Sequence, residues 1–185
     1  MPSAPAASSE IRGDAPPPPV LVPPTPRFDA PTMALSAPLQ DAIDALGAHK
    51  RITSAKIGAG GVASETYAAY ERVVAIANPE EERALIDHPN AVVRGYLGGH
   101  LARFHASHLP ELSELLRDLT PVQQQHGCMV GGGTVASYVA MTLCDAVHRQ
   151  DATAEEARDL LQELAGDATS PVQAEALRCL DSLPG

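Results

Sequence analysis

The sequence predicts an all-α fold, a short solenoid of antiparallel helix pairs that follows a proline-rich tail. Three windows carry small or branched apolar residues at i, i+4 and i+8, which places them on one face of a helix. They recur after 42 and then 37 residues, as stacked helical units do: Val93, Leu97 and Leu101; Val135, Val139 and Leu143; Val172, Ala176 and Leu180. Aromatic residues make up only 3% of the chain. The core must therefore consist of small side chains, which let helices approach closely.

The tail is defined by proline. Ten of the 17 prolines fall within residues 1–31. Proline fixes φ and lacks a backbone donor, so this segment is expected to be extended and solvated. It is either a spacer or a docking ligand for a domain that binds polyproline helices. The sequence thus predicts a disordered tail over residues 1–35 and a helical repeat domain over residues 36–185.

Helix-start signals follow along the predicted helical domain. They are capping side chains, several next to a proline, and they predict helices that begin after Ser36, Ser64, Asn78 and Asn90 and at Pro110. The first should end near Gly47 or His49, and the fourth should run from Ala91 to Phe104. Three glutamates after Pro79 would interact favourably with a helix dipole.

The C-terminal segment predicts a helical hairpin. Thr153 with Glu156, and Ser170 with Gln173, have the capping-box spacing, and Pro171 suits a first helical position. Residues 166–169 between them form a short connection. Two antiparallel helices are expected there.

Two of these segments resemble HEAT repeats. In residues 87–94 an Asp and a Pro precede a Val-Arg pair, and Leu97 and Leu101 follow. Residues 167–180 resemble a second copy, with Gln173 where the family usually has Arg. The middle window has glycines in place of the turn, so it would be a divergent repeat. The resemblance covers about residues 64–183.

The resemblance implies both an architecture and a function. It implies an α-solenoid whose curved surface holds partner proteins. Asp87 and Pro89 would form a repeat turn, and Arg94 would bond to it.

Charge narrows the range of partners. The formal net charge is −10, and residues 36–185 carry 20 acids against 11 bases. This charge disfavours nucleic acid and anionic membrane and favours a basic protein partner. There is no run of 18 apolar residues and no signal peptide, so we expect no membrane span and a cytoplasmic location, with export only if the true N-terminus lies upstream. The three cysteines, Cys128, Cys144 and Cys179, are expected to be reduced.

Two glycine-rich segments are predicted to be loops. In residues 123–133, three successive glycines precede Thr134; they predict a flexible inter-repeat loop, or alternatively an anion-binding loop that lacks the lysine of a P-loop. In residues 49–61, the basic His49, Lys50, Arg51 and Lys56 predict a solvated loop, with a phosphate site as the alternative.

Histidines and a cysteine supply the candidates for chemistry. His126 and Cys128 could pair as base and nucleophile, but catalysis needs a third, orienting group. His105 and His108 share a face only if they lie on a helix, and His126 or Cys128 would have to complete a zinc site. Because no CxxC, HxH or HExxH spacing occurs, we predict neither a metal nor a cofactor.

The sequence therefore favours a non-catalytic protein–protein interaction module, a HEAT-like scaffold or adaptor. Its contact residues are predicted to be Tyr96, His100, His126, Cys128 and Tyr138. Tyrosine suits an interface because it offers a large area and a polar tip, although Tyr67, Tyr70, Tyr96 and Tyr138 could instead fill the core. The alternative is a metal- or thiol-dependent enzyme that uses His105, His108, His126 and Cys128.

Overall fold

The computed structural model describes residues 35–105, 111–151 and 153–183, and these form a mixed α/β fold. The described helices are α1 Ala37–Gly47, α2 Glu65–Ile76, α3 Pro79–Leu85, α4 Ala91–Phe104, α5 Val135–Arg149, α6 Ala154–Gly166 and α7 Gln173–Ser182. The described strands are β1 Arg51–Ile57, β2 Val62–Ala63, β3 Pro121–Gly127 and β4 Met129–Thr134. The prediction of an all-α solenoid is therefore wrong. The predicted tail, residues 1–35, lies outside the described residues except for Leu35.

The four strands form one sheet in the order β2-β1-β3-β4. The central strands β1 and β3 are parallel, with Thr53 opposite Gln125, and both outer pairs are antiparallel. A parallel pair needs a crossover connection, and here the crossover contains α2, α3 and α4. Of these helices, α2 and α4 contact the sheet, and α3 packs against α4. Segments that are far apart in the sequence thereby meet at the centre of the sheet.

Both predicted glycine-rich loops contain strands. The glycines at 131–133 belong to β4 and pair with β3, and Arg51 and Lys56 lie on β1. Gly127 has φ +57°, which suits a two-residue hairpin turn between β3 and β4. The sheet was not predicted from the sequence for two reasons. The glycines of β4 cannot show the alternation of polar and apolar side chains that marks a strand, and few residues of the strands are buried.

Several predicted helix starts are confirmed. Helix α4 has the predicted bounds, and α1 follows Ser36. Ser64 caps α2 by accepting from the backbone N–H of Tyr67, and Asn78 caps α3 in a capping box with Glu81.

The later signals are confirmed only in part. Instead of the predicted helix up to residue 119, the described part of that segment contains a short 3₁₀ helix at Leu115–Arg117. Helix α6 forms, but the Thr153 hydroxyl donates to the carbonyls of Ala102 and Arg103 rather than capping it. Helix α7 begins at Gln173, after Pro171.

The three apolar stripes face the core. All their residues are buried except Leu180, which is partly buried and packs against the core. Helices α4 and α5 pack against each other, but they are not consecutive repeats, because the β3–β4 hairpin lies between them in the chain and pairs with β1.

A disulfide joins Cys144 on α5 to Cys179 on α7. The prediction that these cysteines are reduced is therefore wrong. The two cysteines are 35 residues apart, so their pairing was not predictable from spacing. They meet because α6 and α7 fold back along the chain and bring Cys179 to α5. Cys128 has a free, exposed thiol. None of the described helices has the length and apolar character that spanning a membrane requires.

Candidate functional site

A pocket of about 280 Å³ lies between the sheet and helices α2, α4 and α5. Such a volume is just below the usual range for small-molecule sites, so the pocket suits a small ligand. Its walls come from five elements and consist mainly of polar and aromatic side chains. The lining residues are Thr53, Ser54 and Ala55 on β1; Tyr67 and Tyr70 on α2; Tyr96, Gly99, His100 and Arg103 on α4; His126 on β3; and Tyr138, Met141, Thr142, Asp145 and Arg149 on α5.

All four tyrosines of the chain line this pocket. Tyr70 and Tyr96 stack with ring centroids 4.8 Å apart, and Tyr67 meets Tyr70 edge to face at 5.3 Å. Tyr138 meets Tyr96 edge to face at 6.4 Å. Tyr67 and Tyr70 are i and i+3 on α2, so both point to the same side. The result is a continuous aromatic wall.

The hydroxyl of Tyr96 fixes this wall to the sheet. It donates to the carbonyl of Thr53 at 2.9 Å and accepts from the backbone N–H of Thr53 at 2.7 Å. The Thr53 hydroxyl also bonds to the Ser64 hydroxyl, at the start of α2. Tyr96 is only 2% exposed. It therefore belongs to the rigid floor of the pocket rather than to an exposed surface.

A histidine lies at each end of the tyrosine row. His126 stacks on Tyr138 at 6.3 Å, and its Nε2 is buried without a hydrogen-bond partner among the described residues. At the other end, the Tyr70 hydroxyl lies 2.8 Å from Nδ1 of His100. Burial, together with His105 and Arg103, lowers the pKa of His100 to about 4. The His100 ring is therefore neutral at pH 7.

Hydroxyl groups and paired charges complete the site. Burial raises the pKa of Tyr70 and of Tyr138, so both hydroxyls keep their protons at neutral pH. Arg103 pairs with Asp151 at 3.0 Å, outside the lining set, while the exposed Arg149 lies 4.0 Å from Asp145. The interior thus offers neutral donors and acceptors, and the guanidinium groups are already paired.

Close helix packing gives the pocket its shape. A Cβ at Gly99 would lie 3.0 Å from Cε1 of Tyr138 and 3.2 Å from the Thr142 hydroxyl. The absence of a side chain at Gly99 lets α5 bring Tyr138 up to α4. The adjacent Gly98 and Gly99 in the sequence of α4 could have indicated this close contact.

The structure brings together four of the predicted contact residues. Tyr96, His100, His126 and Tyr138 all line the pocket. Cys128 lies at the exposed hairpin turn and is not among the lining residues. Thr53, Arg103 and Thr142 were not predicted as lining residues, because they come together only when the sheet packs against α4 and α5.

The residues of the alternative enzyme are distributed differently. His105 lies beside Glu82 and His100, while the rings of Tyr138, Tyr96 and Tyr70 lie between His126 and His100. His108 lies outside the described residues. Arg94 is buried, and its guanidinium donates to the carbonyls of His88 and Pro89, in the turn that also contains Asp87.

Comparison with known proteins adds no relative. No family model matches the chain, and neither a curated protein nor a solved structure is similar to it.

Proposed function

We propose that this protein binds a small, neutral, hydrogen-bonding molecule in the tyrosine-lined pocket. The observation that carries the proposal is the convergence of all four tyrosines and two histidines, from four separate elements, around one cavity. Concave sites with aromatic walls and a few convergent polar groups are typical of small-molecule binding.

The contacts define the type of ligand. The tyrosine rings offer flat apolar surface, which suits a ring-bearing ligand. Nε2 of His126 is buried without a protein partner among the described residues, so a ligand group can bond to it. A strongly charged ligand is disfavoured, because Arg103 and Arg149 each have an aspartate partner. A small ring compound with amide or hydroxyl groups fits best.

The chain supplies its own probe for a test. It contains four tyrosines and no tryptophan, so its intrinsic fluorescence arises at the pocket. Neutral ring-bearing amides and phenols should change this fluorescence saturably, whereas aliphatic amines should not. His126→Ala should weaken binding about tenfold, because it removes one hydrogen bond at a desolvated site.

Cys128→Ala is the matched control, since it changes the neighbouring hairpin turn outside the pocket. Its ligand affinity should equal that of the wild type. If no ring compound alters the tyrosine fluorescence, or if both variants bind equally well, the pocket is not a ligand site.

A second candidate is the protein–protein interaction module that the sequence favoured. The tip of the β3–β4 hairpin supports it, because Met129 and Val130 are 72% and 61% exposed beside the free Cys128. Apolar side chains at such a tip can enter a partner, and the net charge of −10 favours a basic one.

A photo-crosslinker in place of Met129 tests this candidate. It should capture one basic protein, whose association rate with the purified chain falls as salt is added. Val130→Glu should raise the dissociation rate, while Leu177→Glu, at an exposed apolar position on α7, should not. An association rate that does not depend on salt would contradict the role of charge. Equal dissociation rates for both variants would show that the hairpin tip is not the binding surface.

A further inference from the structure

Glu82, His100 and His105 form a compact cluster beside the pocket. Glu82 comes from α3, His100 from α4, and His105 is the residue that follows α4. One oxygen or nitrogen atom of each lies within 4.8 Å of the others. The Glu82 side chain is buried.

The separations match the edges of a metal coordination polyhedron. Nε2 of His105 lies 3.3 Å from Oε2 of Glu82, and Nε2 of His100 lies 3.6 Å from Oε1. Zinc binds such ligands at about 2.0–2.1 Å, which places neighbouring tetrahedral ligands about 3.3 Å apart. The two histidine–carboxylate distances are close to this spacing, so a rearrangement of these side chains would bring the three groups onto one ion.

The surroundings of His100 suit a ligand. The Tyr70 hydroxyl is 2.8 Å from Nδ1, so it can accept a hydrogen bond from Nδ1–H in the tautomer protonated there. That tautomer turns the lone pair of Nε2 toward Glu82, which is the arrangement of metal-bound histidines with an outer hydrogen-bond partner. In the other tautomer Nε2–H would face Glu82, but 3.6 Å is too long for a hydrogen bond.

We propose that Glu82, His100 and His105 bind a divalent transition metal, with zinc as the best fit. Two imidazoles and one carboxylate leave a fourth position for water or another ligand, as in zinc sites with three protein ligands. The Glu82 side chain is only 6% exposed, so an ion bound there is largely shielded from water. This site differs from the set considered from the sequence, and it does not depend on the proposed pocket ligand.

The test is titration of the full chain with zinc by calorimetry and with cobalt by visible absorption. The protein is kept oxidised, so that Cys144 and Cys179 stay bonded and provide no thiolates beside His148. One equivalent should bind, and cobalt should show the absorption bands of a tetrahedral site. Zinc should also raise the melting temperature.

Substitutions locate the ion. Glu82→Gln and His105→Gln remove ligands and should weaken zinc binding more than 100-fold. This loss is larger than the one expected for a residue that only hydrogen-bonds to a ligand. Tyr70→Phe keeps the ring but removes the hydroxyl, so it should weaken binding about 10- to 100-fold. If Glu82→Gln does not fold, His105→Gln remains usable, because His105 lies at a helix end and is partly exposed.

His148→Gln and His126→Gln are the controls, and both should bind zinc as the wild type does. His148 lies beside Cys144 and Cys179, the other described cluster whose side chains could bind a metal. His126 lies at the far end of the tyrosine row. Failure of the wild type to bind zinc would overturn the proposal. So would unchanged affinity in His105→Gln, or loss of binding in His148→Gln.

Discussion

Arg94 connects separate parts of the chain. Its Nε and Nη2 donate to Oδ2 of Asp118 at 2.9 and 2.7 Å, and its Nη1 binds the turn at His88 and Pro89. Asp118 also accepts from the backbone N–H of Thr120, just before β3. The ion pair therefore joins the start of α4 to the entry of the central strand.

Removing one partner of this pair should strongly destabilise the fold. Arg94→Met leaves the fully buried Asp118 without its cation, so we expect a loss of about 3–5 kcal/mol. Urea denaturation of the variant against the wild type measures this. The exposed Arg117 offers a control, and Arg117→Met should cost little. If Arg94→Met and Arg117→Met lost equal stability, the ion pair would not be important.

His88 gives this turn a dependence on pH. Burial, with the guanidinium of Arg94, lowers the pKa of His88, and its Nδ1 accepts from the backbone N–H of Asn90 at 3.0 Å. Only the ring with an unprotonated Nδ1 can accept this bond. Below the ordinary pKa of about 6.5 the unfolded chain binds the proton more readily, so stability is lost as pH falls.

Replacing this histidine should reduce the acid sensitivity. The free energy of unfolding should fall from about pH 7.5 to about pH 5 by more in the wild type than in His88→Gln, which has no proton to bind there. Denaturation curves at both pH values give the comparison. Parallel pH profiles would show that His88 does not contribute.

At the scale of elements, the glycines of α4 determine how closely its neighbours approach. A Cβ at Gly98 would lie 2.5 Å from Cδ1 of Leu115 and 3.1 Å from Cγ2 of Val139. At Gly95 it would lie 2.4 Å from Cδ1 of Ile52. Helix α4 thus contacts the sheet, the 3₁₀ helix and α5 through positions without side chains.

A methyl group on this face should be unfavourable despite the better helix propensity of alanine. Gly98→Ala gains about 1 kcal/mol in propensity but overpacks a buried contact by about 1–3 kcal/mol, so we expect a net loss of up to about 2 kcal/mol. Thermal denaturation measures it. In the control, Gly166→Ala on α6, no atom lies within 4 Å of the new Cβ, so no loss is expected. A stabilised Gly98→Ala would show that α5 can move away at little cost.

Over the whole molecule, the disulfide closes the C-terminal part of the chain. Cys144 and Cys179 are 35 residues apart, and the loop between them contains α6. Limiting the unfolded chain by a loop of this length stabilises the fold by about 3–4 kcal/mol in the chain-entropy model.

Loss of the disulfide should therefore be visible in global stability. Cys144→Ala with Cys179→Ala should unfold at lower urea by an amount that corresponds to about 3–4 kcal/mol. Reducing agent should lower the free energy of unfolding of the wild type by a similar amount. It should leave that of the double variant unchanged. Cys128→Ala, which keeps the bond, is the control. A wild type insensitive to reductant would contradict this account.

Local signals determined the helices. Caps at Ser64, Asn78 and Asn90 and the apolar stripe of α4 act within a few residues, so the sequence alone predicted these elements. Tyr96, His100, His126 and Tyr138 could also be chosen in advance, because their side chains suit binding. The sequence did not predict that they surround one cavity, or that Glu82 lies beside His100 and His105.

Only the tertiary structure decided the sheet, the disulfide and the site. Strand β1 pairs with β3 across about 70 residues, a contact that no local pattern predicts. Half of the residues of β4 are glycine, so this strand has little β propensity of its own. Cys144 meets Cys179 only after two helices have folded back. These features depend on contacts between distant segments, and such contacts form only when the apolar faces of several elements are buried together.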